Sequence, residues 1–119
     1  MGDDAAASLR EPPVRGLEHR GDALVVVLAG ELDLYNADEV RTVLVDAIDG
    51  GTSLIVIDLA EVEFVDSTAL GVLLEARSRL GADGLRLAGP RLEIRRALEV
   101  SGLDRHLAVH DSVDQALVR

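Results

Sequence analysis

Along most of this chain apolar residues recur either every residue or every third to fourth residue, and the switches between these rhythms mark the elements. Val14 to Glu18 and Ala23 to Gly30 read as two strands joined by a turn at Arg20-Gly21-Asp22, an antiparallel hairpin. Leu24-Val25-Val26-Val27-Leu28 is continuously apolar, as befits an interior strand covered on both faces. Gly30 to Tyr35 reads as the loop leaving that strand, and Asn36 with Glu39 three residues later predicts a capping box. Val40, Val43, Leu44, Ala47 and Ile48 then fall at helical spacing, and Gly50-Gly51 ends that helix. A second apolar run, Leu54 to Leu59, predicts the central strand, with Asp58 at its end.

Val65-Asp66-Ser67-Thr68-Ala69-Leu70-Gly71 opens the next helix. Ala69, Val72, Leu73, Ala76 and Leu80 form its apolar face, and Asp66 and Ser67 are both good N-cap residues. A hydroxyl thus stands at the positive end of a helix dipole, where free backbone amides favour a phosphoryl group; the same residues also suit a helix cap with no further role. Leu85 to Ala88 predicts a strand with Arg86 on its alternate face, and Gly89-Pro90 introduces a helix over Arg91 to Ser101, with proline near its first position. Leu107-Ala108-Val109 is a short last strand, and Asp111 or Ser112 caps a final helix running through Leu117. The alternation predicts a single α/β domain, a mainly parallel sheet with one antiparallel edge strand, packed with about four helices. Loops after the strand ends then converge on one rim carrying Asp33, Asp58, Asp66 and Ser67. Only Val65 and Leu34 are expected there as large aliphatics, a polar surface suited to reversible recognition. Residues 1–13, acidic and proline-terminated, read as a flexible N-terminal arm, and 14–119 as the domain.

Composition narrows the chemistry. Aromatic residues make up 2% of the 119, so the core must be aliphatic and stacking on bases or sugars has little to work with. The net charge of −10 opposes binding to nucleic acid or anionic lipid. Every basic residue is an arginine, which excludes mechanisms that need a lysine, and the absence of cysteine excludes thiol chemistry and thiolate metal sites. His106 and His110 flank a strand and not a helical turn, His19 stands alone, and no metal site is expected. Neither G-x-S-x-G nor G-x-G-x-x-G occurs. No apolar run is long enough for a membrane span and no signal segment follows Met1, so a cytoplasmic protein is expected.

LIVIDLAEVEFVDSTALG, read with GELDLYNA upstream and ALEVSGLDRHLAVHDSVDQAL downstream, resembles the STAS family, and within it the bacterial anti-sigma factor antagonists. The resemblance covers Leu17 to the C-terminus. It implies a non-enzymatic phosphoprotein in transcription regulation. Its unphosphorylated form binds an anti-sigma factor serine kinase, so that the sigma factor is released, and phosphorylation switches it off. ATP and Mg²⁺ would be held by that partner, the antagonist itself needing no cofactor, and a separate serine phosphatase would restore the active form. By this resemblance Ser67 is the phosphoacceptor, and Asp33, Asp66, Thr68, Leu70 and Gly71 join it in partner binding. Ala69 stands where the family motif often has glycine, a change that favours helix. A monomer or weak dimer is expected. Asp58 taken alone suits a structural carboxylate accepting backbone N–H bonds, and Asp33 alone suits a loop former. A receiver domain has similar length and alternation but needs a late lysine. The alternative within the family is a subunit of a lipid-transport ABC complex, whose members generally lack an intact aspartate-serine-threonine motif.

Overall fold

The computed structural model describes residues 11–118, which form a five-stranded sheet and, among the described residues, four helices. The strands are β1 (Val14–Arg20), β2 (Ala23–Leu32), β3 (Leu54–Val65), β4 (Leu85–Ala88) and β5 (Ala108–His110). The helices are α1 (Ala37–Asp49), α2 (Ser67–Leu80), α3 (Leu92–Ser101) and α4 (Val113–Ala116), with one 3-10 turn at Leu103–Arg105. The sheet runs in the order β1-β2-β3-β4-β5, with β1 antiparallel to β2 and every other pair parallel. The expected fold class is the observed one. Of the arm expected over residues 1–13, residues 1–10 lie outside the described residues, while Pro13 is buried and its carbonyl accepts from the Ala29 amide at 3.0 Å.

Each crossover from β2 to β5 steps the same way along the sheet. Right-handed connections therefore place α1, α2 and α3 on one face. There Leu24, Val26, Leu28, Ile55, Ile57, Leu59, Leu85 and Leu87 pack against Val40, Leu44, Val72, Leu73, Ile94 and Leu98. The intervening residues Ala23, Val25, Leu54, Val56 and Ala88 face the other way and are covered by Ala116 of α4. Burial on both faces is why β2 and the first half of β3 read as unbroken apolar runs. Two ion pairs, Arg41–Glu75 at 3.2 Å and Arg79–Asp49 at 2.8 Å, span from α1 to α2.

The central strand is twice as long as the apolar run suggests. It continues to Val65 through two register shifts against β2, between Val27/Ala29 and between Gly30/Glu31. Gly30 sits between these shifts with φ +75°, a conformation other residues rarely adopt. β4 ends at Ala88, opposite Asp58, so the second half of β3 is paired with β2 alone. That half is consequently solvated on several positions, and Ala60-Glu61-Val62-Glu63-Phe64 lacks the apolar continuity that marks a buried strand. Asp58 is therefore in mid-strand, well back from the rim, where its Oδ1 accepts the Ala60 amide at 3.0 Å. The structural reading of that carboxylate holds and its place among the rim residues does not.

Three further details differ from expectation. Asn36 precedes α1 but makes no side-chain cap, its side chain being engaged in the preceding loop. Pro90 lies outside α3, whose N-cap is Arg91 in extended conformation. Leu107 is buried just before β5 instead of forming part of it. Arg86 is a buried guanidinium on β4, and its Nη1 donates to the carbonyls of Ala116 at 2.8 Å and Val118 at 2.7 Å. It satisfies the exposed carbonyl end of α4 and holds that helix on the sheet. Replacing it as Arg86→Met leaves those acceptors without donors and should cost about 2 kcal/mol in urea unfolding, with early loss of hydrogen-exchange protection in α4.

Candidate functional site

β2 and β3 end side by side, Leu32 opposite Val65, so the loops that follow them start at the same edge. The Asp66 amide extends the pairing by one more bond, to the Leu32 carbonyl at 3.0 Å. Asp66 then turns the chain in extended conformation and becomes the N-cap of α2. Its Oδ1 accepts the Ala69 amide at 3.0 Å, and its Oδ2 accepts the Leu34 amide at 3.0 Å, from a residue 32 positions earlier. One carboxylate thus fixes both the start of α2 and the loop between β2 and α1.

That loop is closed on itself as well. Asp33 Oδ1 accepts the Tyr35 amide at 3.0 Å, and the Asp33 carbonyl accepts the amides of Asn36 and Ala37. Asn36 is 6% exposed; its Oδ1 accepts the Asp33 amide at 2.9 Å and its Nδ2 donates to the Glu31 carbonyl at 2.8 Å. Local bonding of this kind competes with capping and wins here, because the loop amides have no strand partner.

Ser67 is the first residue of α2 and is exposed, as are Thr68 and Gly71; Leu70 is half-buried against the core. Among the described residues the amides of Ser67 and Thr68 have no acceptor, while Ala69 donates to Asp66 Oδ1 and Leu70 to the Asp66 carbonyl. The first turn of α2 contains no acidic residue, and Arg77 and Arg79 lie in its last turn, in keeping with the helix dipole. The first turn thus offers a hydroxyl, two free donors and a positive field at one place. Asp33, Asp66, Ser67 and Thr68 are brought together, with Leu70 and Gly71 one turn further on. Asp58 is not brought to them.

The surroundings are less purely polar than the sequence suggests. Val65 is half-buried on the core, but Leu34 (61% exposed), Tyr35 (79%) and Phe64 (52%), which lie in the two segments that Asp66 ties together, are exposed. Glu31 and Glu63, both exposed, lie next to Phe64, Glu31 as its partner across the strands. The signal for the rings was their scarcity: one tyrosine and one phenylalanine occur, each within a few residues of a motif. No group of three or more metal-ligating side chains occurs among the described residues, and none of their helices is long and apolar enough to cross a membrane.

The family model for the STAS domain matches residues 16–116. The chain belongs to the STAS domain family. Among curated STAS relatives, the anti-sigma F factor antagonist of Paenibacillus polymyxa is 33% identical over 104 residues, which is 85% of this chain and 89% of that protein. The crystal structure of an anti-sigma factor antagonist from Mycobacterium paratuberculosis matches with a TM-score of 0.79 at 27% identity, over 86% of this chain and 88% of that one. SpoIIAA, an anti-sigma factor antagonist, has been solved unphosphorylated, with a TM-score of 0.73 at 25% identity. As the Bacillus cell fate determinant in its phosphorylated form it matches with 0.66 at 26%. Each covers 86% of this chain, over 91% and 95% of the SpoIIAA chain.

In this STAS domain the two acceptors of Asp66 can be separated. Asp66→Ala should lower stability by about 1–3 kcal/mol, because it removes the cap and leaves the Leu34 amide without its partner. Asp66→Asn keeps one acceptor oxygen and should lose about half as much. Chemical denaturation checks the totals. Hydrogen exchange at Leu34 and Ala69 should quicken together in the alanine variant and at only one of the two in the asparagine variant.

Proposed function

We propose that this chain is an anti-sigma factor antagonist whose unphosphorylated form binds an anti-sigma factor serine kinase and so frees the sigma factor. The observation that carries the reading is the placing of Ser67: an exposed hydroxyl on the first turn of α2, directly after a capping aspartate whose two oxygens are both in use. Relatives that carry the antagonist name, and a neighbour solved in both phosphorylation states, support it. The partner supplies ATP, Mg²⁺ and the base. Ser67 Oγ forms a bond to the γ-phosphorus, ADP departs, and the hydroxyl proton passes to the partner. Hydrolysis by a separate serine phosphatase returns the hydroxyl. The chain itself performs no catalysis in this scheme and acts in the cytoplasm, with Asp33, Asp66, Thr68, Leu70 and Gly71 forming the recognised surface around Ser67.

The switch is electrostatic. A phosphoserine carries about −1.5 to −2 charges at pH 7. The free amides of Ser67 and Thr68 compensate part of that charge within the domain, so the fold should persist. At an interface the dianion must instead be desolvated next to Asp66, and any acidic group of the partner repels it.

Incubation with ATP and candidate anti-sigma kinases from the same cell, followed by mass spectrometry, tests the assignment. Phosphate should appear on Ser67, and phosphorylation should weaken partner binding by roughly 1–3 kcal/mol in calorimetry. Ser67→Asp should reproduce part of that loss and Ser67→Ala should bind without being switchable. Phosphate on Thr68, with Ser67→Ala still accepting fully, would overturn the assignment. Capture of the same ABC ATPase by wild type and Ser67→Asp, with no anti-sigma kinase, would favour the transport reading.

A further inference from the structure

The core of this domain contains no aromatic side chain. The chain has one tyrosine, one phenylalanine and no tryptophan, and both rings are more than half exposed. Both belong to the region that the Asp66 carboxylate organises. Tyr35 directly follows Leu34, whose amide Asp66 holds, and its own amide is held by Asp33. Phe64 lies two residues before Asp66 and pairs with Glu31 across the strands. With Leu34, they are three of the seven large apolar side chains that remain exposed among the described residues; Leu17, Leu92, Val100 and Val118 lie on other elements or at the chain end. Exposed apolar side chains of this size that gather in the segments flanking one site mark interaction surfaces, and isolated ones do not.

Two observations indicate what covers them. A kinase that phosphorylates Ser67 must close over the residues beside it, and the Leu34–Tyr35 loop is tied to the same carboxylate that caps the Ser67 helix. The apolar side chains are also bordered by negative charge: Asp33 and Asp66, with Glu31 and Glu63, which have no arginine partner among the described residues. We infer that Tyr35 and Phe64 are the anchoring residues of the anti-sigma factor interface, inserting into an apolar recess of the partner that is bordered by arginine or lysine. This rests on the function proposed above and adds to it a division of roles. The rings, desolvated on binding, set how long the complex lasts, whereas Glu31 and Glu63 steer its formation. Phosphate on Ser67 acts by placing a dianion at the edge of the contact that buries the rings.

The test uses the full chain and the kinase found to phosphorylate Ser67, with association and dissociation measured by surface plasmon resonance. Tyr35→Ala and Phe64→Ala should each raise Kd about tenfold or more, mainly through faster dissociation. Tyr35→Phe should bind nearly as wild type, and Val100→Ala, on the exposed side of α3, should be unchanged. Glu31→Gln with Glu63→Gln should slow association and flatten its salt dependence while leaving dissociation as it was. Should Phe64→Ala prove poorly folded by circular dichroism, Phe64→Leu, which keeps an aliphatic side chain, carries the measurement and should give a smaller rise in dissociation rate. Wild-type dissociation from both ring variants, with phosphorylation of Ser67 still weakening the complex, overturns the anchoring role and leaves the switch standing. If no anti-sigma kinase binds or phosphorylates the wild-type chain, the switch reading falls and the anchoring role falls with it.

Discussion

The rim of this domain depends on one carboxylate. Asp66 accepts a helical amide with one oxygen and a loop amide with the other, and its own amide extends the parallel pairing of β2 and β3 by one bond. These three bonds are at the same residue but constrain three different elements. Without the cap, the amide of Ala69 would join those of Ser67 and Thr68 as a third free donor; without the second bond, the Leu34–Tyr35 loop would hold its shape by Asp33 and Asn36 alone. An acceptor with two usable oxygens is required, which a serine cap at the same position could not supply. The sequence places aspartate there, with serine immediately after it, where the hydroxyl is left exposed because capping is already done.

The remainder of the fold serves to carry that carboxylate outwards. The double-faced aliphatic core ends with β4, at Ala88 opposite Asp58, yet β2 and β3 continue as a two-stranded extension. Two register shifts and the positive φ of Gly30 lie in this extension and set the direction in which its end points. The candidate site therefore stands past the body of the sheet, on backbone that is hydrogen-bonded along one edge only. Precision is recovered locally, through Asp33, Asn36 and Asp66, because past β4 the core covers one face only: Leu32 and Val62 are buried there, while Glu31, Glu63 and Phe64 are exposed.

This division explains what was legible in the sequence. Elements with two buried faces or a clear helical stripe, such as Leu24 to Leu28, Leu54 to Leu59 and the Ala69–Leu80 face, could be read from periodicity because burial imposes it. The second half of β3 could not. Its residues pair with one strand and meet solvent, so the apolar run ends at Leu59 and gives Ala60 to Phe64 no strand signal, which puts Asp58 at a strand end that in fact lies at Val65. Asn36 illustrates a second limit: its type suits a cap, but a side chain that can donate and accept is worth more where two backbone groups need it at once, and only the folded loop shows that they do. The VDSTALG signal was local and therefore readable. The tie from Asp66 to Leu34 spans 32 residues and was not.

The distribution of charge gives the rim its character. The chain carries −10, but over much of the surface carboxylates are matched by arginine: Arg15 with Glu11 and Glu61, Arg20 with Glu18 and Asp114, Arg41 with Asp38 and Glu75, Arg95 with Asp111. Exposed pairs of this kind contribute little stability each, yet they reduce the field locally. Glu31 and Glu63 have no such match among the described residues, and Asp66 spends its charge on backbone amides, which leave it formally negative. The rim is thus acidic before any modification. In the proposed switch, phosphate at Ser67 does not reverse the sign of the surface that a basic partner meets; it deepens it. Loss of affinity then comes chiefly from desolvating a compact dianion beside an apolar contact, with repulsion added only by acidic groups that the partner holds close to Ser67. That reasoning makes the apolar neighbours of Ser67 as important to the switch as its charge, since a wholly wet interface would accommodate the phosphate with its hydration intact.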